Sequence, residues 1–207
     1  MKSEILHLLR HADGYVSGQQ LCETFGVSRT AVWKVINQLK EEGYVIDSVQ
    51  NKGYRITEYP DIITASEIES LLLDDSGNMQ GICRHIQYFD KTDSTNNQAK
   101  LAAEKNAPEG TLFVAECQTG GRGRRGKTWE SPAGSGIWMS LLLRPDISPE
   151  SASMLTLVLA VAMVDAINEE VQDAKCYVKW PNDIVLNNRK ISGTLTEMSA
   201  EMDSIHY

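Results

Sequence analysis

The chain has neither a long hydrophobic run nor an apolar leader. Its longest strongly apolar stretch, residues 154–164, falls short of a membrane crossing and contains a threonine, so it reads as a buried helix and no membrane span is expected. The amino terminus, Met-Lys-Ser-Glu-Ile, passes straight into amphipathic sequence without a signal core or cleavage site, which makes the cytoplasm the expected compartment. Cysteine is scarce: Cys22, Cys83, Cys117 and Cys176 are scattered without metal-ligand spacing, and four histidines supply no compact companion set. Disulfides and structural zinc are therefore not expected. Positive charge is not in excess either, since 20 Lys and Arg against 28 Asp and Glu give a formal net charge of -8. Residues 1–60 nevertheless carry seven of each sign, so the acidic excess lies in 61–207 and an amino-terminal DNA module remains electrostatically open. What is present, 207 residues of 42% hydrophobic content, suffices for two small globular domains or one larger one.

The amino-terminal pattern is helical. Ile5, Leu6, Leu8 and Leu9 line one side of a helix that ends at Asp13-Gly14. Ser17 is a plausible N-cap for a short helix that Gly26 interrupts, and Ser28 caps a longer one in which Val32, Val35, Ile36 and Leu39 recur at helical spacing. Gly43 ends it, and residues 44–49 and 54–57 form two strands around Gln50-Asn51-Lys52-Gly53. A helix-turn-helix followed by such a hairpin resembles a winged-helix DNA-binding domain. That resemblance puts the Ser28–Glu42 helix in the major groove, with Arg29, Thr30 and Lys34 near its start and Lys52 and Arg55 approaching phosphate from the wing. The plainer alternative is that the same cations merely solubilise a small helical bundle. Trp33 either packs partly against the core or touches a base.

Residues 58–63, with Pro60, read as a linker, and Thr64-Ala-Ser-Glu67 as a capping box that opens a connecting helix through Ile68, Leu71, Leu72 and Leu73. The expected organisation is a winged helix over 1–60, a linker and connecting helix over 61–83, and a second domain over 84–207. Within the last, residues 86–89 and 111–117 read as strands. Ser94, Thr95 and Asn96 cap a following helix or hydrogen-bond a small ligand; the pattern does not separate the two. The helix over 151–170 is expected to bury Leu155, Leu159, Ala162 and Ala166, with Val158 and Val161 extending that face.

Gly120-Gly-Arg-Gly-Arg-Arg-Gly-Lys-Thr-Trp129 is the most distinctive stretch. It is neither a Walker A sequence nor a dinucleotide fingerprint. Its glycines let the backbone turn closely around a ligand, and Arg122, Arg124 and Arg125 suit carboxylate and phosphate; a flexible basic surface loop is the plainer alternative. Lys179-Trp-Pro-Asn-Asp183 and Lys190-Ile-Ser-Gly193 supply a second polar and cationic cluster.

The ordered set Ser94-Thr95-Asn96, Gln118-Thr119 with the glycine-arginine run, Trp129, Ser131-Pro132, Lys179–Asp183 and Lys190–Gly193 resembles the bifunctional biotin-protein ligases and biotin-operon repressors. The resemblance implies a multidomain α/β chain: a winged helix, then an α+β biotin/lipoate ligase-like catalytic domain with a mixed sheet. It further implies ATP-dependent conversion of biotin to biotinyl-adenylate with Mg2+, then transfer to a lysine of a biotin carboxyl-carrier protein. The adenylate would also be the corepressor of a homodimer on operator DNA. By the same resemblance Ser94, Thr95, Gln118, Arg122, Arg124, Arg125 and Lys190 bind biotin or its adenylate, and Trp129 packs on adenine. Lys179, Asn182 and Asp183 organise nucleotide and magnesium; Arg124, Lys190, Lys179 and Asp183 form the catalytic set, with Asp183 the metal ligand.

Lys127 stands where the family commonly has arginine, which keeps charge but loses the bidentate fork, and Gly193-Thr-Leu replaces the more familiar Gly-Ile-Leu. Past Glu197 the family continues into a further core strand, a glycine-asparagine nucleotide segment and a small β-barrel-like domain, so the catalytic domain is expected to be incomplete at its carboxyl side. Two other readings are a ligand-responsive repressor without catalysis and a lipoate-protein ligase.

Overall fold

Serines and a left-handed glycine punctuate the first helices. A computed structural model describes residues 1–171, 175–201 and 204–207, which fall into two units, Met1–Tyr88 and Phe89–Tyr207. In the first, α1 (Lys2–His11) carries Glu4 in its first turn and Arg10 and His11 in its last, charges that complement the helix dipole. Ser17 Oγ accepts from the Gln20 N–H at 3.0 Å to start α2 (Gly18–Phe25), and Gly26 at φ 63° ends it. Ser28 Oγ accepts from Ala31 N–H at 3.2 Å to start α3 (Arg29–Glu41). One stripe of α3, Val32, Val35, Ile36 and Leu39, is buried against Ile5, Leu6, Leu9 and Leu21. Trp33, by contrast, is 57% exposed.

The antiparallel hairpin β1 (Val45–Val49) and β2 (Gly53–Glu58) pairs Ile46 with Ile56 and Ser48 with Tyr54. Val16 joins it through two backbone hydrogen bonds with Tyr54, each 2.9 Å, so the wing is stitched to the helices. Gly53 permits this: at φ 114°, a Cβ there would lie 2.0 Å from Val16 O.

Thr64 Oγ1 accepts from Glu67 N–H at 3.2 Å and opens α4 (Ala65–Leu72). The Glu67 carboxylate does not complete the capping box. It takes a 2.6 Å hydrogen bond from Arg10 Nη2 and another from the Tyr44 hydroxyl, tying α4 to α1 and the core. Burial and then this bond to Glu67 push the Tyr44 pKa well above the ordinary phenol value.

Strands β4 (Thr111–Ala115) and β5 (Trp138–Leu141) of the second unit belong to a mixed three-stranded sheet of order β3-β4-β5, whose first strand, β3 (His85–Phe89), runs across the division at Tyr88. β4 and β5 are antiparallel, whereas the chain beyond β3 runs parallel to the chain beyond β4 at Thr92 and Gln118. All of β4 is buried, and α5 (Thr95–Glu104) packs on β4 and β5, with Ala103 and Phe113 in the core. Ser94 occupies the N-cap position of α5 without giving a side-chain cap.

Helix α6 (Ser153–Glu170) departs from expectation. Of its residues only Ala160 is buried; Leu155 is partly covered, while Leu159, Ala162, Ala166, Val158 and Val161 are exposed. The helix is apolar around its whole circumference and contacts β6 and β7 along a limited strip, so no single stripe is selected for burial. Together with the preceding turn, Pro149–Glu170 is 22 residues long and contains an 18-residue window of mean hydropathy 1.7, enough by length and composition alone to cross a membrane, more than the sequence stretch suggested. A second sheet, antiparallel throughout, follows in the order β6 (Tyr177–Lys179), β7 (Asp183–Leu186) and β8 (Arg189–Gly193).

Candidate functional site

The glycine-arginine run is an irregular hairpin. Gln118 N–H donates to Ser131 O at 3.0 Å, Trp129 N–H to Gly121 O at 2.9 Å and Gly123 N–H to Lys127 O at 2.7 Å. At the tip, Arg124–Gly126 make a single 3-10 turn with Arg125 at φ 59°. Gly121 allows the two sides to close, since a Cβ there would meet Trp129 O at 2.4 Å. The stem is anchored to the turn before α5 by hydrogen bonds from Gly120 N–H to Asp93 O, 2.7 Å, and from Thr119 N–H to Thr92 O, 2.9 Å. Asp93 holds that turn: hydrogen bonds from Asn97, Gln98 and Thr92, with backbone help, lower its pKa from 3.8 to about 2 despite some desolvation.

Two clusters flank the hairpin. In the first, Ser94 and Thr95 are buried, and Gln118 Oε1 accepts from Thr95 N–H at 2.8 Å and Thr95 Oγ1 at 3.2 Å. Gln118 Nε2 donates to Ser131 Oγ at 2.9 Å, Thr95 Oγ1 lies 2.8 Å from Ser140 Oγ, and the Ser140 hydroxyl donates to Asn96. Ser94 sits at the N-cap position of α5 without a side-chain cap, and the Gln118 side chain is committed at both ends to holding the α5 start against the hairpin. A cavity of about 320 Å³ beside it is lined by residues 117–119, 121 and 128–132. Ser131 and Ser140 received no role from sequence. Ser131-Pro132 was at least part of the motif, whereas Ser140 is one small polar position in an otherwise apolar strand and carries no signal of a role.

In the second cluster, Lys190 Nζ lies 2.6 Å from Asp183 Oδ1 and 4.9 Å from the centre of the Trp129 ring. Arg124 Nη1 donates to Asn182 Oδ1 at 3.1 Å, and Asn182, itself buried, donates to Thr194 O at 2.9 Å. The β7–β8 pairing sets Asp183 opposite Gly193, which puts it beside Lys190. The structure thus gathers Arg124, Trp129, Asn182, Asp183 and Lys190. Arg122, Arg125 and Lys179 are exposed and stand outside this contact set. Arg122 acts at longer range: with Lys100 and Asn96 it holds the Glu197 carboxyl below its ordinary pKa, outweighing the larger opposing effect of burial.

The donor chemistry suits anions more than a metal cage. Among the described residues no three His, Cys, Asp or Glu side chains gather to hold an ion. Asp183 alone, already paired with Lys190, fits a magnesium ion held chiefly by nucleotide phosphates, the usual arrangement for that cation.

In the first unit, Arg29 and Lys52 line an open cleft of about 440 Å³ between the α2 start, α3 and the wing. Arg29 Nη2 donates to Gln19 Oε1 at 3.1 Å. Thr30 and Lys34 are exposed on α3. Arg55 is more engaged than the sequence suggested: it pairs with Asp47 at 3.1 Å and stacks 4.9 Å from the Tyr15 ring centre.

Comparison with known proteins matches residues 88–206 to the Biotin/lipoate A/B protein ligase family and residues 2–55 to an HTH domain. The chain belongs to the biotin/lipoate A/B protein ligase family, with a helix-turn-helix domain ahead of an α+β ligase domain. It is 43% identical over 206 residues to the bifunctional ligase/repressor BirA of Bacillus subtilis, covering 99% of this chain and 62% of that protein. To the BirA of Escherichia coli it is 34% identical over 198 residues, 96% of this chain and 58% of the relative. Among solved structures, the biotin protein ligase from Aquifex aeolicus in complex with biotin and ATP is 34% identical at a TM-score of 0.48, covering 58% of this chain and 49% of that one. The chain therefore spans under two thirds of the length of these relatives.

Proposed function

We propose that the chain activates biotin with ATP and transfers it to a lysine of a biotin carboxyl-carrier protein, and that the same chain represses biotin genes as an adenylate-promoted homodimer on operator DNA. The observation that carries the ligase reading is the cationic cluster over an aromatic face: Lys190 between Asp183 and Trp129, with Arg124 fixed on Asn182. In the first step the biotin carboxylate oxygen forms a bond to the α-phosphorus and the bond to pyrophosphate breaks. Two anions must approach one another, and Lys190 and Arg124 neutralise them from positions set before substrate arrives. Trp129 offers its ring to the adenine, and the buried Ser94, Thr95 and Gln118 group shapes the biotin end. Magnesium, when bound through the phosphates and Asp183, spreads the phosphate charge. In the second step a neutral acceptor amine forms the amide bond, the anhydride C–O bond breaks, AMP leaves and the amine gives up a proton. Arg122, Arg125 and Lys179 extend the field around the adenylate.

The test is intact mass of purified carrier domain incubated with this chain, ATP, Mg2+ and biotin. Addition of one biotin supports the reading. Loss of labelling when lipoate competes at equal concentration points to the lipoate branch, and operator binding that depends on biotin and ATP without labelling points to a regulatory role alone.

A further inference from the structure

From residue 29 to residue 40, α3 carries Arg29, Lys34 and Lys40 and no carboxylate. Its solvent side presents Thr30, Trp33, Lys34 and Asn37 opposite the buried Val32, Val35, Ile36 and Leu39. Trp33 is the large apolar side chain on that side, 57% exposed, with Arg29 one turn before it and Asn37 one turn after. Packing does not explain it, because the core stripe closes without it. We propose that Trp33 is a specificity-determining residue of the α3 surface and that its partner is duplex DNA, where the indole lies against a thymine 5-methyl group in the major groove. This rests on the DNA-binding reading. The flanking cations and the helix start attract a polyanion, while the ring matches the apolar group that the major groove offers, the thymine methyl. A protein partner is less suited to a ring on a helix segment that carries Arg29, Lys34 and Lys40 and no acid between residues 29 and 40.

The probe is a duplex enriched by the full chain, with biotin and ATP present, from a library randomised over about 20 base pairs, roughly two helical turns. Wild type, W33A and W33F are then titrated against that duplex with each thymine replaced in turn by deoxyuridine, which removes only the methyl. Wild type is expected to weaken about 3–10-fold at one thymine per half-site, the scale of one buried methyl. W33A is expected to be weaker on the unmodified duplex and indifferent to that replacement, with W33F between. An unchanged melting curve for W33A shows that the fold is intact. If W33A keeps the full thymine-over-uracil discrimination, or changes self-association without DNA instead, Trp33 is no base reader although the DNA reading survives. If wild type enriches no duplex, the DNA reading falls and takes this one with it.

Discussion

Substituting Gln118→Ala tests whether the hairpin is held by its stem or only by its loop. Gln118 receives two hydrogen bonds from Thr95 and gives one to Ser131. Thr95 and Ser131 are each 3% exposed, so water cannot freely replace the lost partner. Truncation leaves the Thr95 N–H without its acceptor, at about 1–3 kcal/mol, and removes two further bonds worth about 1 kcal/mol or less each. The sum is about 2–5 kcal/mol, which for a unit of this size corresponds to a fall of roughly 8–20 °C in its melting. Tryptophan emission reads that unit preferentially, since Trp129, Trp138 and Trp180 lie in it and Trp33 alone in the other. Gln118→Glu keeps an acceptor for Thr95, and the Ser131 hydroxyl can turn to donate to the new carboxylate, so its loss should be less than half as large. A Gln118→Ala protein within 0.5 kcal/mol of wild type, by a denaturation whose resolution is finer than that, refutes the clamp.

Lys190→Ala should lower single-turnover adenylate formation by about 10²–10³-fold, the scale of losing one preorganised charge at a developing anion, with melting little changed; quench-flow measurement of pyrophosphate release checks it. Gly53→Ala places a Cβ 2.0 Å from Val16 O at φ 114°, so the first unit should lose more than about 2 kcal/mol by far-ultraviolet circular dichroism, or fail to pair its wing. Asp93 titrates at about 2 in the fold against 3.8 when unperturbed. Its contribution is therefore complete above about pH 4 and is lost as pH falls toward 2, so the melting deficit of Asp93→Asn at pH 7 should close across that interval.

Sequence was most informative where the deciding interaction is local. Ser17, Ser28 and Thr64 each cap a helix within three residues, and the alternation of Val32, Val35, Ile36 and Leu39 fixes a buried stripe that neighbours need only accept. It was weakest where a side chain had to choose among distant partners. The spacing of Thr64 and Glu67 matches a capping box, yet an arginine 57 residues earlier and a buried tyrosine hold the Glu67 carboxylate. Arg55 looked like a free phosphate contact until Asp47, directly across the hairpin, took its charge. Leu159 and Val158 looked like core because they are apolar, but the α6 strip facing β6 and β7 is narrower than the apolar surface the helix offers. The glycine-arginine run was visible as an anion loop; its hairpin pairing, its tie to Asp93, the bond of Gln118 to Ser131 and the contacts of Ser140 with Thr95 and Asn96 needed coordinates, since none of them follows from spacing.

The net charge of -8 argues against the proposed anion site only if charge is averaged over the molecule. Around the hairpin the sign reverses. Arg122, Arg124, Arg125 and Lys127 sit within six residues, and the loop brings one of them, Arg124, onto Asn182 in the same cluster as Lys190. Asp183 partly offsets Lys190 and Glu197 draws on Arg122, so the cations are held in position without being fully neutralised. Under the proposed function, the stem bonds to Thr92 and Asp93 then matter for affinity as well as fold. With the base of the loop already ordered, an incoming phosphate has only the tip to organise, and more of the attraction between four cations and a polyanion remains as binding free energy.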